Sequence, residues 1–426
     1  MNDQGTQLSK IKGRGLTIAV LLFLSTLVGY LTRVNISVAL PFISDAYGWN
    51  SYENGLYGGI LLGMFLVGYG FSNIFLAPMI DRVGPRRALI GIMSIWSLIT
   101  FFTGVVGLIL GLFILFRLIL GLAEGPLFPS DSKITQEWFR PSIRARVNSA
   151  YFSALYISNL LAALLIVPLI LVTNWTFAFY SVGIAGFILV VILYFKLADT
   201  PTGNYPRKSV DLRGQMRRSI DSVKKTIKLK GIHILVLSDI TTNLTWWGLS
   251  LWLPTYLIMA KGFTDQDLIW AASIPYVGGV LGLIVGSTLD TRTGRLVEIA
   301  MIFGILSGAF IFLVIPIADF IVIIFFMTMV FFFISIIQPN QFTLLQDIAP
   351  EEQIGGATGF LNGVSNGSGV FGTVLVGLAV ALTGTYSLGL VMLGTFQVIS
   401  GLTMLFFRKY HRPRPKGKVA AEMGSK

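Results

Sequence analysis

The chain has 426 residues, 54% of them apolar and only 12% charged, with no cysteine, two histidines and a formal charge of +12. Soluble domains are about a quarter charged, so this composition excludes an ordinary water-soluble protein and points to one dissolved mainly in lipid. Disulfide and thiol chemistry are excluded, and His233 and His411 stand too far apart in sequence to suggest a metal site; no cofactor is implied.

A membrane-spanning helix needs about 20 mostly apolar residues. Twelve such runs are predicted, at roughly 16–43, 55–77, 88–106, 108–130, 147–172, 175–197, 232–260, 268–289, 296–316, 319–342, 356–383 and 386–408. The first lacks a small-residue cleavage site and reads as a retained helix, not a signal peptide. The long polar stretch 199–231 divides the chain into a six-helix bundle (1–198), a basic cytoplasmic linker (199–231) and a second six-helix bundle with a basic tail (232–426). Orientation follows from lysine and arginine. Of the 32, 29 fall in the termini and loops on one side, Arg33 and Arg117 lie within spans, and Lys261 lies opposite. Both termini are therefore expected in the cytoplasm, in a multi-pass protein of the cell membrane. The basic run RKSVDLRGQMRRSIDSVKKTIKLK is read as a loop beside anionic lipid, not a nucleic-acid site.

The halves echo each other. APMIDRVGPRRA (77–88) follows the second span and GSTLDTRTGRLV (286–297) the eighth, which sets Asp81 and Asp290 209 residues apart. In the first copy Asp81 ends a helix, Arg82, Arg86 and Arg87 face the cytoplasm, and Gly84 permits a tight turn. In the second, Asp290 and Arg295 hold the matching places. A duplicated six-helix unit around a central site is transporter architecture.

Charges inside a span usually face a cavity or a partner. In FRLILGLAEGPLFPS, Arg117 and Glu124 are seven apart, so two helical turns put them on one face, roughly 10 Å apart along the axis. The first span adds Arg33 in GYLTRVNISVALPFI, with Tyr30 one turn earlier. A guanidinium is a permanent, planar fork matched to carboxylate or phosphate, so two arginines and one titratable acid read as an anion clamp with a proton carrier. A structural ion pair is the alternative. In the second half, Gln338, Asn340 and Gln341 surround Pro339, which is expected to break its helix, and serve either substrate hydroxyls or helix packing. Gly356, Gly359, Gly363, Gly367 and Gly369 are read as close-packing sites, Trp246, Trp247 and Trp252 as packing or cavity wall, and Asp239 as a capping or gate residue.

These motifs resemble the major facilitator superfamily: the loop at 77–88 is similar to its loop between helices two and three, with Ala77 in place of the first glycine. More closely, YLTRVNISVALP, RLILGLAEGPLFPS, QEWFRPSIRARVNSA, LWLPTYL and LLQDIAPEEQIGGATGFLNGVSNGSGVFG resemble the anion:cation symporter family of that superfamily, the group of bacterial sugar-acid permeases, sialin and vesicular glutamate transporters. The resemblance implies an all-α integral membrane protein of twelve transmembrane helices. It implies a small organic anion carried with protons, contacted by Tyr30, Arg33, Tyr69, Arg117, Asn362 and Asn366, with Glu124 as the coupling carboxylate; Gln341 joins the substrate contacts on its hydrogen-bonding chemistry alone. Asp81, Arg82, Gly84, Arg86, Asp290 and Arg295 would latch the conformations. It also implies a monomer in the bilayer whose halves rock about the site. Family members often carry Asp before the first-span arginine; Thr32 stands there, which opens the proton count. Facilitated anion uniport, proton-coupled efflux and a non-transporting receptor are the other readings.

Overall fold

The computed structural model describes residues 3–75, 80–198, 200, 212–350 and 353–410. Among them every regular element is a helix. The first half holds α1 (Asp3–Tyr47), α2 (Ser51–Phe75), α3 (Ile80–Val83), α4 (Pro85–Val106), α5 (Leu110–Glu124), α6 (Leu127–Trp138), α7 (Pro141–Leu161), a π turn at Ala162–Ile166, α8 (Val167–Val172) and α9 (Trp175–Lys196). There follow α10 (Leu212–Ile227), α11 (Ile232–Met259), α12 (Asp265–Ala271), α13 (Ile274–Thr293), α14 (Leu296–Val314), α15 (Phe320–Ile348), α16 (Ile354–Thr383) and α17 (Ser387–Phe407).

Among the described residues eleven helical stretches are long and apolar enough to cross a membrane; Leu110–Trp138 joins α5 to α6, and Arg146–Val172 runs from α7 through the π turn into α8. The twelfth predicted run, 232–260, is the continuous 28-residue α11. It is long enough to span, about 42 Å, but its first half carries Ser238, Asp239, Thr241, Thr242, Asn243 and Thr245, all buried. A helix this polar is tolerated at membrane depth only where protein covers it, and α11 is covered by α15, α16 and α17. The linker is not a bare loop: it contains α10, where Ser222 lies against Gly356 of α16.

By contacts the chain forms two compact units, Met1–Ala39 with Met64–Gln215, and Leu40–Gly63 with Met216–Lys426. The first packs α4 on α9, α5 and α6; the second packs α13 on α15, α14 on α15 and α17, and α11 on α16 and α17. The sequence repeat has a geometric counterpart. A methyl group on Gly68 would overlap the carbonyl oxygen of Leu118, and one on Gly278 would overlap that of Thr328, the same contact 210 residues later. Gly84 and Gly294, also 210 apart, both take left-handed φ angles, 92° and 62°, at the turns into α4 and α14.

The α2–α5 seam places the candidate site. Gly121 of α5 faces the Phe65 carbonyl of α2 so closely that a β-carbon would overlap it. Inserting carbon into such a contact costs about 1–3 kcal/mol through backbone displacement. Gly121→Ala is therefore expected to lower the Tm of the purified protein by several degrees. Gly91→Ala, at a helical glycine with open space around it, should leave Tm unchanged or raise it slightly. Equal melting curves for the two variants would show that the seam is not tight.

Candidate functional site

The buried face of α5 is Phe113, Arg117, Leu120, Gly121 and Glu124, the stripe that helical periodicity produces from LGLFILFRLILGLAE. The helix stops at Glu124 because Pro126 has no N–H to give the Leu122 carbonyl. Ser72 of α2 supplies the missing donor, its Oγ 2.5 Å from that oxygen. The break is thus stitched to α2, and Glu124 is held at a helix end instead of sliding with a flexible turn.

Five of the residues singled out in the sequence meet here, in the first unit. Arg33 of α1 donates from Nε and Nη2 to Oε2 of Glu124, at 3.2 and 3.0 Å. Its guanidinium carbon lies 4.1 Å from the centre of the Tyr30 ring, 4.4 Å from Tyr69 and 4.8 Å from Phe65, so the charge is stacked among aromatic faces that attract it. Arg117 lies 5.2 Å from the Phe65 ring centre and donates Nη2 to the backbone oxygen of Arg33 at 3.2 Å. Arg33, Arg117 and Glu124 are each 1% exposed or less. The pairing differs from a simple reading of spacing: Glu124 binds the arginine of another helix, and its own neighbour on α5 is the second cation.

One partner of Glu124 is not expected from the sequence. In the sequence Thr32 is only a departure from a family pattern, yet its Oγ1 lies 2.6 Å from Glu124 Oε1 and 2.6 Å from the Gly29 carbonyl. A hydroxyl carries one proton. It donates to an ionised Glu124; with Glu124 protonated, it accepts from the acid and donates to Gly29. Both protonation states are therefore satisfied without rearrangement of the backbone. Asp131 is also buried, accepting from Thr26 Oγ1 at 3.0 Å. It stands seven residues after Glu124, on α6 beyond the break at Pro126.

The remaining predicted residues belong to other elements of the two units. Gln341 is buried in α15 of the second unit and donates Nε2 to Ser238 Oγ (2.9 Å) and Thr242 Oγ1 (3.4 Å) of α11. Asn362 and Asn366 pair with each other on α16, Nδ2 of Asn366 to Oδ1 of Asn362 at 2.8 Å. Pro339 does not break its helix; α15 runs through it. The α16 glycines divide: Gly369 abuts Trp247, whereas Gly359, Gly363 and Gly367 face open space and are not packing sites. Arg86 donates to the carbonyls of Leu197 (2.6 Å) and Tyr194 (2.5 Å), capping the C-terminal end of α9 where a cation also meets the helix dipole. Arg295 precedes α14 and is exposed. The side chains of Asp81, Arg82 and Asp290 lie outside the described residues, as do Ala77, the linker stretch 201–211 and the tail 411–426. Asp239, seven residues into α11, is not a cap; the N-cap there is Gly231. Among the described residues no group of three or more His, Cys, Asp or Glu side chains is placed to hold a metal.

The first unit thus buries two arginines and one carboxylate together, on a frame of two helical units. The chain is 25% identical over 422 residues to the hexuronate transporter of Bacillus subtilis, covering 95% of this chain and 97% of that one. It is 27% identical to a probable galactarate/D-glucarate transporter of Escherichia coli (91% and 92% covered) and 27% identical to a probable sulfoacetate transporter of Cupriavidus necator (93% and 94%). Its fold matches a bacterial homologue of the lysosomal transporter Spinster with TM-score 0.73 at 15% identity, over 94% of this chain and 99% of that one. It also matches a D-xylose–proton symporter with TM-score 0.70 at 15% identity, over 95% and 99%. The Major Facilitator Superfamily model matches residues 22–373, and the chain belongs to that superfamily of membrane transporters.

Proposed function

We propose that the chain imports an organic anion of the sugar-acid class across the cell membrane by proton symport, as a monomer with both termini in the cytoplasm. The observation that carries this reading is the occupancy of the Arg33 fork: it is held by Oε2 of Glu124, with Thr32 on Oε1. A substrate carboxylate is chemically the same ligand as Glu124. When it takes the fork, Glu124 loses its cation and is left as a buried, uncompensated charge, which is costly at membrane depth. Taking a proton removes that cost, and the Thr32 hydroxyl reverses to accept it. Anion binding and protonation are thereby linked through one guanidinium. Arg117 supplies the second positive charge, and the phenols of Tyr30 and Tyr69 offer hydrogen bonds to substrate hydroxyls. The relatives named for hexuronate, galactarate/D-glucarate and sulfoacetate support a carboxylate as the common element.

The test is uptake of D-glucuronate into liposomes holding the purified protein. Accumulation above the outside concentration on an inward proton gradient is the expected result. Mere equilibration of the sugar acid, whatever the gradient, would replace symport by uniport, and outward movement against entering protons would replace it by efflux. No flux of any carboxylate in a panel would overturn transport of this class.

A further inference from the structure

The second unit buries a carboxylate that the mechanism above does not use. Asp239 stands on α11 at 1% exposure. Ser365 of α16 donates to its Oδ2, and Asn243, one turn along α11, donates Nδ2 to Oδ1 at 3.3 Å and to the Asp239 carbonyl at 3.0 Å. Both side-chain donors are neutral. The helices packed against α11 bring no cation: α16 and α17 contain no acidic, basic or histidine side chain anywhere, α15 contains only Asp347, and α12 only Asp265 and Asp267. On α11 itself the other titratable groups are His233 and Tyr256, six residues before and seventeen after. No described cation forms an ion pair with Asp239.

An ionised carboxylate in this pocket has two neutral hydrogen bonds and no counter-charge, whereas the neutral acid keeps both contacts by donating to Ser365 Oγ. Asn243, which holds the acid, is 8% exposed, and Asn366, next in chain to Ser365, is half-buried beside the exposed Asn362. We infer that Asp239 is a second proton-binding site of the transporter, carried by the second unit and loaded alongside Glu124. This rests on the reading of the chain as an ion-coupled anion importer. Its consequence is a count: two protons with one monovalent anion move one net positive charge inward.

The first measurement needs no substrate. Infrared difference spectra of the purified full-length protein between acid and alkaline buffer are expected to show protonated-carboxyl C=O bands. One component disappears in Asp239→Asn, persists in Glu124→Gln, and returns at a shifted frequency in Asp239→Glu. Ser365→Ala, which keeps the acid but removes its partner, is expected to shift that component. Superimposable spectra of wild type and Asp239→Asn, or a band unmoved by Ser365→Ala, would overturn the inference. The second measurement is D-glucuronate uptake at equal pH with an inside-negative potassium diffusion potential. Stimulation in the wild type and its loss in Asp239→Asn are expected. Stimulation that survives in Asp239→Asn, or that requires sodium, would remove Asp239 as the proton carrier. A protein that shows the Asp239 band yet moves no glucuronate leaves the proton site standing and refutes only the substrate class.

Discussion

Arg117→Ala is expected to abolish measurable binding of the transported anion while leaving the protein folded. Arg117 donates to a neutral backbone oxygen and stacks on Phe65, and the ion pair in the site belongs to Arg33 and Glu124, so removing Arg117 orphans no carboxylate. Removing one member of a buried, hydrogen-bonded charge pair costs about 2–5 kcal/mol, which corresponds to a loss of affinity of roughly 30-fold to several thousand-fold. Arg117→Lys keeps the charge but not the fork and is expected to recover only part of it. Arg33→Ala is a different experiment, because it strands Glu124 in the interior at a cost to stability of about 3–5 kcal/mol. The double variant Arg33→Ala with Glu124→Gln should melt higher than Arg33→Ala alone and still bind nothing. Thermal stabilisation by D-glucuronate and calorimetric titration are the measurements. An Arg117→Ala protein with wild-type melting and near-native affinity would show that the second arginine is not part of the clamp.

The α5 stripe was legible in the sequence because its physics is one-dimensional. Arg117 and Glu124 had to share a face, and a lipid-embedded helix does not keep charges without a use or a partner. Arg33 was legible for the same reason. What spacing along one helix does not encode is which residue of another helix lies opposite. Hence the Arg33–Glu124 pair, made across 91 residues, and the Thr32 contact, made across 92, appear only in three dimensions. The repeat was legible in the Asp81 and Asp290 loops, but the equivalence of Gly68 and Gly278 was not, since a lone glycine in a glycine-rich chain carries no mark of the carbonyl it touches. The α16 glycines misled because small residues serve both close packing and open walls, and only the neighbouring helix decides between them. The cap expected at Asp239 fails because α11 begins at Ile232, as the predicted run does, with Gly231 as its N-cap, and Asp239 lies two turns inside.

Glu124→Gln is expected to separate coupling from translocation. The amide keeps the size and the hydrogen-bonding capacity of the protonated acid, but it cannot release a proton. Arg33 then has a neutral partner where it had a carboxylate, so an incoming anion no longer displaces an ion pair to reach the fork. The variant should bind D-glucuronate at least as tightly as wild type and exchange labelled for unlabelled substrate across the membrane, because exchange requires no net change of protonation. It should accumulate far less substrate on a pH gradient than wild type, since no proton leaves position 124 when the site opens to the inside and only Asp239 is left to carry one; with Asp239→Asn added, accumulation should disappear. Thr32→Val, which preserves shape and removes the hydroxyl shared by Glu124 and Gly29, should be intermediate. Accumulation persists there with a displaced pH profile, because the acid still titrates but lacks the group that satisfies it in both states. Counterflow and gradient-driven uptake in the same liposome preparation decide the matter. A Gln variant that still concentrates substrate on a pH gradient alone, to wild-type levels, would place coupling elsewhere; Asp239 and Asp131 are then the carboxylates left to carry it, and their asparagine variants tell them apart.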